Sequence, residues 1–288
     1  MKNILITGAT GNVGFEVIKS LQKYNKIDKI IAGVRDLAKD KAKFEGLNIE
    51  FLAFDFANPA TYQNALKNID SLFLLRPPQL SEVGKYFEPF IKTAQECGVK
   101  HIVFLSVQGV EKSSIIPHHK IEKLIVESKI PFSFLRPAYF MQNFSTTLRQ
   151  DLVTKNLIFL PAGNAKFTLI DVEDIGKVAA KILTNPTEYL NKSYELTCHE
   201  KLDFQEMADK LSTGLGKKIT YESPNLWKFY FQKRREKVTS GFILVLIMLH
   251  YLPRFQKVPD NTDWVEKITG EKPKNFDEFV ADNEEFLK

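Results

Sequence analysis

Cysteine is nearly absent: only Cys97 and Cys198 occur in the 288 residues, far apart and in no CxxC pair. That excludes a disulfide framework, gives no metal site, and fits a reducing compartment, so a cytoplasmic protein is expected. An excess of one charge is missing too, because 40 Lys and Arg are scattered among 35 Asp and Glu. With no zinc or RNA-binding signature beside them, no direct nucleic-acid partner is expected. The densest cationic cluster, Lys233, Arg234, Arg235 and Lys237, reads as a solvated helix face. Long apolar runs are lacking. Phe242 to Leu252 is about half the ~20 residues needed to span a bilayer and reads as a buried helix, so no membrane is expected. No basic and apolar leader precedes the first strand pattern, and no internal repeat or low-complexity tract interrupts the chain.

What is present is a globular balance, 44% hydrophobic and 26% charged, which excludes a disordered or fibrous chain. The first half alternates strand and helix patterns. Strands are expected at Asn3–Thr7, Lys29–Val34, Ile49–Phe54, Ser71–Leu75, His101–Ser106 and Phe132–Leu135. Between them lie helical faces such as Val13, Val17, Ile18 and Leu21, or Val83, Phe87, Phe90, Ile91 and Ala94. Alternation of this kind implies right-handed crossovers and a parallel sheet covered on both faces. The expected fold is therefore an α/β Rossmann-type, doubly wound parallel sheet with a smaller, mostly helical C-terminal substrate lobe. Its nucleotide-binding domain is expected over residues 1–136, completed by about 168–198, and the lobe over 137–167 and 199–288. Punctuation agrees: Asn58 with Pro59 suits a helix start, Gly98 a helix end, and Asp203/Glu206 and Asn275/Glu278 have capping-box spacing.

The first strand runs into Thr7-Gly-Ala-Thr-Gly-Asn-Val-Gly. Gly8 suits the tight turn, Gly11 lets backbone approach a pyrophosphate, and Gly14 lets the helix pack on the strand. Thr10, Asn12 and Val13 complete the turn, whose N–H groups would face the phosphates. A plain strand-to-helix turn would use one glycine. Arg35 stands where the second strand ends, the position at which an acid selects a ribose hydroxyl and a cation a 2′-phosphate. NADP(H) is thus expected in preference to NAD(H). Asp55 and Phe56 follow the third strand, and Arg76 and Pro77 the fourth, on the carboxyl edge where such sheets bind ligands; Asp55 serves equally well as a strand-end turn former.

With these residues in place, the chain resembles the NmrA-like branch of the atypical short-chain dehydrogenase/reductase superfamily over nearly its whole length. The carriers are the GATGNVG turn, Gly33-Val-Arg-Asp, Leu135-Arg-Pro-Ala-Tyr-Phe-Met-Gln-Asn, Asp171-Val-Glu-Asp-Ile-Gly, and Thr269-Gly-Glu-Lys-Pro leading to Phe276–Phe279. That branch includes NADPH-dependent quinone reductases, triphenylmethane-dye reductases and NADP-sensing regulators without chemistry. The resemblance implies that Arg35 contacts the adenosine phosphate, that Arg76 and Pro77 border the cofactor, and that Tyr139, Phe140 and Gln142 lie near the nicotinamide.

One departure stands out. The superfamily's Tyr-x-x-x-Lys pair belongs before the helix around Ile121, but the residues four ahead of Lys120 and Lys123 are Ile116 and His119. His118 falls where the family's lysine would be. Reducing an ordinary ketone creates an alkoxide whose conjugate acid has a pKa near water's ~16, so a positioned proton donor matters. A quinone gives a phenolate-like product with a pKa nearer ~10, which can take its proton from solvent. Two readings remain. In the first the chain is a reductase of a small, planar, electron-poor acceptor such as a quinone, with Ser106, Gln108, Tyr139 and Asn143 around the substrate and His119 as the candidate proton donor. Against these stand blander roles: loop histidines, a serine ending a strand, and Tyr139 and Phe140 as lobe core. In the second the chain is a non-catalytic NADP(H) sensor acting through a protein partner. A sugar-nucleotide epimerase would need the tyrosine. The acceptor and the oligomeric state are left open.

Overall fold

The computed structural model describes residues 2–25 and 27–288. The chain opens with β1 (Asn3–Ile6), α1 (Asn12–Leu21), β2 (Lys29–Val34), α2 (Leu37–Asp40) and β3 (Glu50–Ala53). There follow α3 (Tyr62–Leu66), β4 (Ser71–Leu75), α4 (Val83–Glu96), β5 (His101–Leu105), α5 (Pro117–Glu127) and β6 (Phe132–Pro137). The middle holds β7 (Tyr139–Phe140), α6 (Arg149–Lys155), β8 (Leu157–Phe159), β9 (Phe167–Ile170), α7 (Val172–Thr184) and β10 (Lys192–Leu196). The last third carries β11 (Lys201–Leu202), α8 (Phe204–Leu215), β12 (Thr220–Glu222), α9 (Leu226–Arg235) and α10 (Ser240–Tyr251). It ends with α11 (Trp264–Thr269), α12 (Phe276–Asp282) and α13 (Glu284–Leu287).

Two compact units result. The first comprises the chain up to Pro137, Val172–Leu196 and Trp264–Lys272. Its seven-stranded sheet has the order β10-β6-β5-β4-β1-β2-β3, with every neighbouring pair parallel. Strands covered on both faces need apolar residues at successive positions rather than alternate ones. That is why β1 and β5 read as unbroken runs and are buried throughout Ile4–Ile6 and His101–Leu105. The strand order reverses between β1 and β4, the crevice where ligands of such sheets sit. Thr7 fixes that point: its hydroxyl donates to the Phe73 carbonyl at 3.1 Å and accepts from the Leu75 N–H at 2.9 Å. On one face Phe54, Phe56, Tyr62, Phe87 and Phe90 pack edge-to-face and tilted. α1 lies against α7, where a Cβ on Gly176 would come within 2.7 Å of the Glu16 backbone. Arg136 anchors α5 to β6 with a bidentate pair to Glu122, at 3.1 and 2.7 Å.

The second unit comprises Ala138–Asp171, Thr197–Asp263 and Pro273–Lys288. It is mostly helical, with a three-stranded sheet β11-β9-β7 and a two-stranded sheet β12-β8. Its core gathers Phe144, Phe159, Phe204, Phe229, Phe276 and Phe279. Both expected capping boxes form, Asp203 with Glu206 and Asn275 with Glu278.

Four expectations need correction. Phe167–Ile170 does not complete the large sheet; it pairs with β7 and β11 in the second unit. Trp264–Lys272, assigned to the lobe, returns to the first unit, where Trp264 packs edge-on to Tyr194 at 5.0 Å. Lys233 is no solvated side chain: it is buried and donates to Asp151 at 2.6 Å and Glu236 at 2.8 Å. Phe242 to Leu252 forms a helix but not a buried one, since Leu244, Val245, Met248 and Leu249 face outward.

Candidate functional site

In the first unit the glycine turn closes between β1 and α1, where the Gly11 N–H donates to the Gly8 carbonyl at 3.0 Å. Gly8 has φ of +62°, a left-handed conformation that a side chain strains. A Cβ on Gly14 would lie 2.3 Å from the Gly8 oxygen, so only glycine lets α1 approach this closely. Gly11 is the N-cap of α1 and offers no side-chain oxygen to its first turn. A helix start without a side-chain cap leaves N–H donors and the positive end of the dipole for an anion. Thr10 is half-buried, Asn12 exposed and Val13 turned into the core, so Val13 contributes backbone only. The turn thus fits a dinucleotide pyrophosphate on its own geometry.

Arg35 follows β2 and is exposed, with no ion-pair or hydrogen-bond partner among the described residues. Its acidic neighbour does not neutralise it, because the Asp36 carboxylate accepts from Ala38 and Lys39 N–H at 3.1 Å each and caps α2. Asp55 adopts the turn role, accepting from the Ala57 N–H at 2.9 Å. The Phe56 ring is buried among Phe54, Phe87 and Phe90, which leaves only its backbone for a ligand.

After β4, Arg76 folds over its own loop and donates from Nη1 to the carbonyls of Pro77, Pro78 and Leu80 at 3.0 to 3.1 Å. Its Nε is buried without a partner among the described residues. The same holds for the Ser106 hydroxyl at the end of β5, in a residue only 2% exposed. Buried polar groups of this kind ordinarily find partners. Gln108 donates to Glu195 at 3.2 Å.

At the start of α5, His118 lies against Phe104 with ring centroids 6.0 Å apart. Burial, aided by the Arg76 cation, pushes its pKa down to about 3. His118 is therefore a neutral ring with the Arg76 cation acting on it. His119 Nδ1 lies 3.3 Å from the Val110 carbonyl. A carbonyl only accepts, so Nδ1 carries the proton and, in the neutral ring, Nε2 is an acceptor. Proton donation by His119 requires the doubly protonated ring.

In the second unit Tyr139 and Phe140 form β7, beside Leu169 and Ile170 of β9, and Met141–Asn143 make a 3₁₀ turn that carries Gln142 and Asn143. The Tyr139 hydroxyl is 3.1 Å from His250 Nε2, with the Asn143 side chain close by. His250 Nδ1 lies 2.7 Å from the Leu246 carbonyl, which fixes the proton there. Tyr139 is accordingly the donor to Nε2, and burial raises its own pKa. His250, surrounded by Tyr139, Phe167 and Phe204, is held down at about 4 by burial. Tyr139 is expected at the site from the sequence, but its partner His250 is not. Its one visible signal was a lone histidine in an otherwise apolar helix.

Among the described residues no cluster of three or more His, Cys, Asp or Glu side chains forms a metal site, and no helix is long and apolar enough to cross a membrane.

The sheet order and the uncapped glycine turn at its switch point define a Rossmann-type α/β protein. Comparison supplies the family: residues 1–238 match the NmrA-like family, and the chain belongs to it. Prestalk A differentiation protein A of Dictyostelium discoideum is 32% identical over 282 residues, 97% of this chain and 92% of that protein. The NAD(P)H azoreductase of Xenophilus azovorans is 28% identical over 281 residues, 96% of each chain. Among solved structures, an NADPH-dependent quinone oxidoreductase of Escherichia coli complexed with NADPH superposes with a TM-score of 0.86 at 23% identity, covering 97% of this chain and 99% of that one.

Proposed function

We propose that the chain is an NADPH-dependent reductase that delivers a hydride to a small, planar, electron-poor acceptor such as a quinone. The observation that carries the reading is the uncapped glycine turn, with the unpartnered Arg35 guanidinium at the end of the neighbouring strand. When bound, the nicotinamide would supply the hydride. The chain's own residues then have to bind and orient. The N–H groups opening α1 hold phosphate, Arg35 binds the 2′-phosphate bidentately, and Arg76 and Ser106 present unpartnered polar atoms at the same sheet edge. An azoreductase and a quinone oxidoreductase among the similar proteins support an acceptor of this class. His118 cannot serve as the lysine's cation, and an acceptor whose reduced form is a weak base has least need of one.

The test is a titration of NADPH and NADH against wild type and Arg35→Ala, followed by NADPH oxidation with a quinone panel and no added flavin. Loss of one charge-assisted contact of about 1.5–3 kcal/mol should weaken NADPH binding by about 10- to 100-fold and leave NADH unchanged. Equal loss for both nucleotides would refute the 2′-phosphate role.

One observation favours a second reading, an NADP(H)-binding regulator without chemistry that works through a protein partner. His118 is held neutral by burial, and His119 in its neutral state carries its proton at Nδ1, against the Val110 carbonyl, so neither is set up as a cationic proton donor. Tight NADPH binding with no turnover across the panel would establish that reading instead.

A further inference from the structure

A helix at the surface of a water-soluble protein ordinarily turns a polar face outward. α10 does not. Its inward residues Ile243, Leu246 and His250 recur at helical spacing, while Leu244, Val245, Met248 and Leu249 between them are exposed, Leu244 by 59%. Phe242, Leu252 and Phe255 extend the apolar exposure. On α9, which packs beside α10, Trp227 is 75% exposed and stacks with the exposed Phe231, ring centroids 6.4 Å apart. Nine of the 14 exposed large hydrophobic side chains among the described residues fall within 226–257.

The same segment holds the protein's charge. Residues 226–257 contain seven Lys or Arg and one Glu, whereas the rest of the chain has 33 basic and 34 acidic residues. The lone acid, Glu236, is engaged by Lys155 and Lys233. Arg234, Arg235, Lys237, Arg254 and Lys257 are exposed. Aromatic and aliphatic side chains flanked by cations suit the boundary between lipid headgroups and acyl chains. A second copy fits less well, since a symmetric contact would set these cations against one another and the remainder of the chain has no acidic excess to offer.

We infer that α9, α10 and the turn after α10 form a docking face for an anionic membrane surface, on which the second unit lies without spanning it. The inference is independent of the cofactor reading, and its test contains neither nucleotide nor acceptor. The full chain is sedimented with vesicles of phosphatidylcholine alone and of phosphatidylcholine with phosphatidylserine. Binding to the anionic vesicles, weakened by added salt, is expected. Arg235→Gln with Lys237→Gln should weaken it about 30-fold, and Leu244→Gln with Met248→Gln more than about tenfold. Both pairs change exposed side chains, and an unchanged melting temperature verifies the fold. Three results would each overturn the inference: no binding to either vesicle, variants that bind as wild type, or a light-scattering dimer that the α10 pair dissolves.

Discussion

Replacing Gly11 by alanine distinguishes a glycine kept for the fold from one kept for a ligand. Gly11 has φ of −85° and ψ of 167°, an extended conformation open to any residue. A Cβ there would meet only the Gly8 carbonyl oxygen, at 3.3 Å, so relief needs a few tenths of an ångström. Stability should fall by no more than about 0.5–1 kcal/mol. Gly14→Ala is the contrast. Its Cβ would stand 2.3 Å from the Gly8 oxygen and 2.8 Å from the Gly8 carbonyl carbon, so α1 must withdraw, at an overpacking cost of about 1–3 kcal/mol. At Gly11 the added methyl obstructs pyrophosphate approach. Losing one or two charge-assisted hydrogen bonds of about 1.5–3 kcal/mol each raises the NADPH Kd at least about tenfold. Thermal unfolding of the nucleotide-free protein reads the first quantity and a calorimetric titration the second. A Gly11→Ala variant that keeps both its melting temperature and the wild-type Kd would show that the turn does not hold a pyrophosphate.

Three further predictions concern stability. His101 and His250, each 2% exposed, are held neutral with pKa values of about 4 by burial. The unfolded chain binds their protons from about pH 6.5 downward. Their stabilisation is therefore whole above that pH and lost as the pH falls toward 4, by about 3 kcal/mol for each ring. Urea unfolding at pH 7.5 and 4.5 should show the fall, and a His101→Asn variant should flatten it. Tyr139→Phe leaves His250 Nε2 without its donor in a buried site and should cost about 1–3 kcal/mol. In a double-mutant cycle with His250→Phe, the two changes should be less than additive; full additivity would mean that the 3.1 Å contact contributes nothing. Lys233→Met should cost about 3 kcal/mol by chemical unfolding, because the buried Asp151 keeps only Lys155.

The first unit was largely legible because each of its constraints is local. Strands buried on both faces must be apolar at consecutive positions, and a crossover helix must repeat its apolar residues every three or four. Pattern therefore located β1 to β6 without reference to partners. The two capping boxes were legible for the same reason, since Asp203 with Glu206 and Asn275 with Glu278 satisfy one another across a single turn. What failed depended on partners far along the chain. Phe167–Ile170 has the composition of a buried strand, but nothing in these four residues tells whether β6 or β7 lies beside it. The apolar run of α10 specifies a helix without specifying how many of its faces find protein. His250 gains meaning only beside Tyr139, 111 residues earlier.

Cofactor preference shows the same division at the scale of two residues. In sequence, Arg35 and Asp36 are a cation and an acid side by side at the end of β2, and the expectation of NADP(H) rests on the cation holding the strand-end position despite its acidic neighbour. Backbone geometry gives the two residues different surroundings. Asp36 starts α2, and its carboxylate turns onto the N–H groups of Ala38 and Lys39, as an N-cap aspartate does to satisfy otherwise open donors. The acid is thereby engaged by its own helix, while the exposed guanidinium has no partner among the described residues. A dinucleotide seated on the glycine turn would meet the cation first, which is the physical ground for expecting discrimination by the phosphate that distinguishes NADPH from NADH.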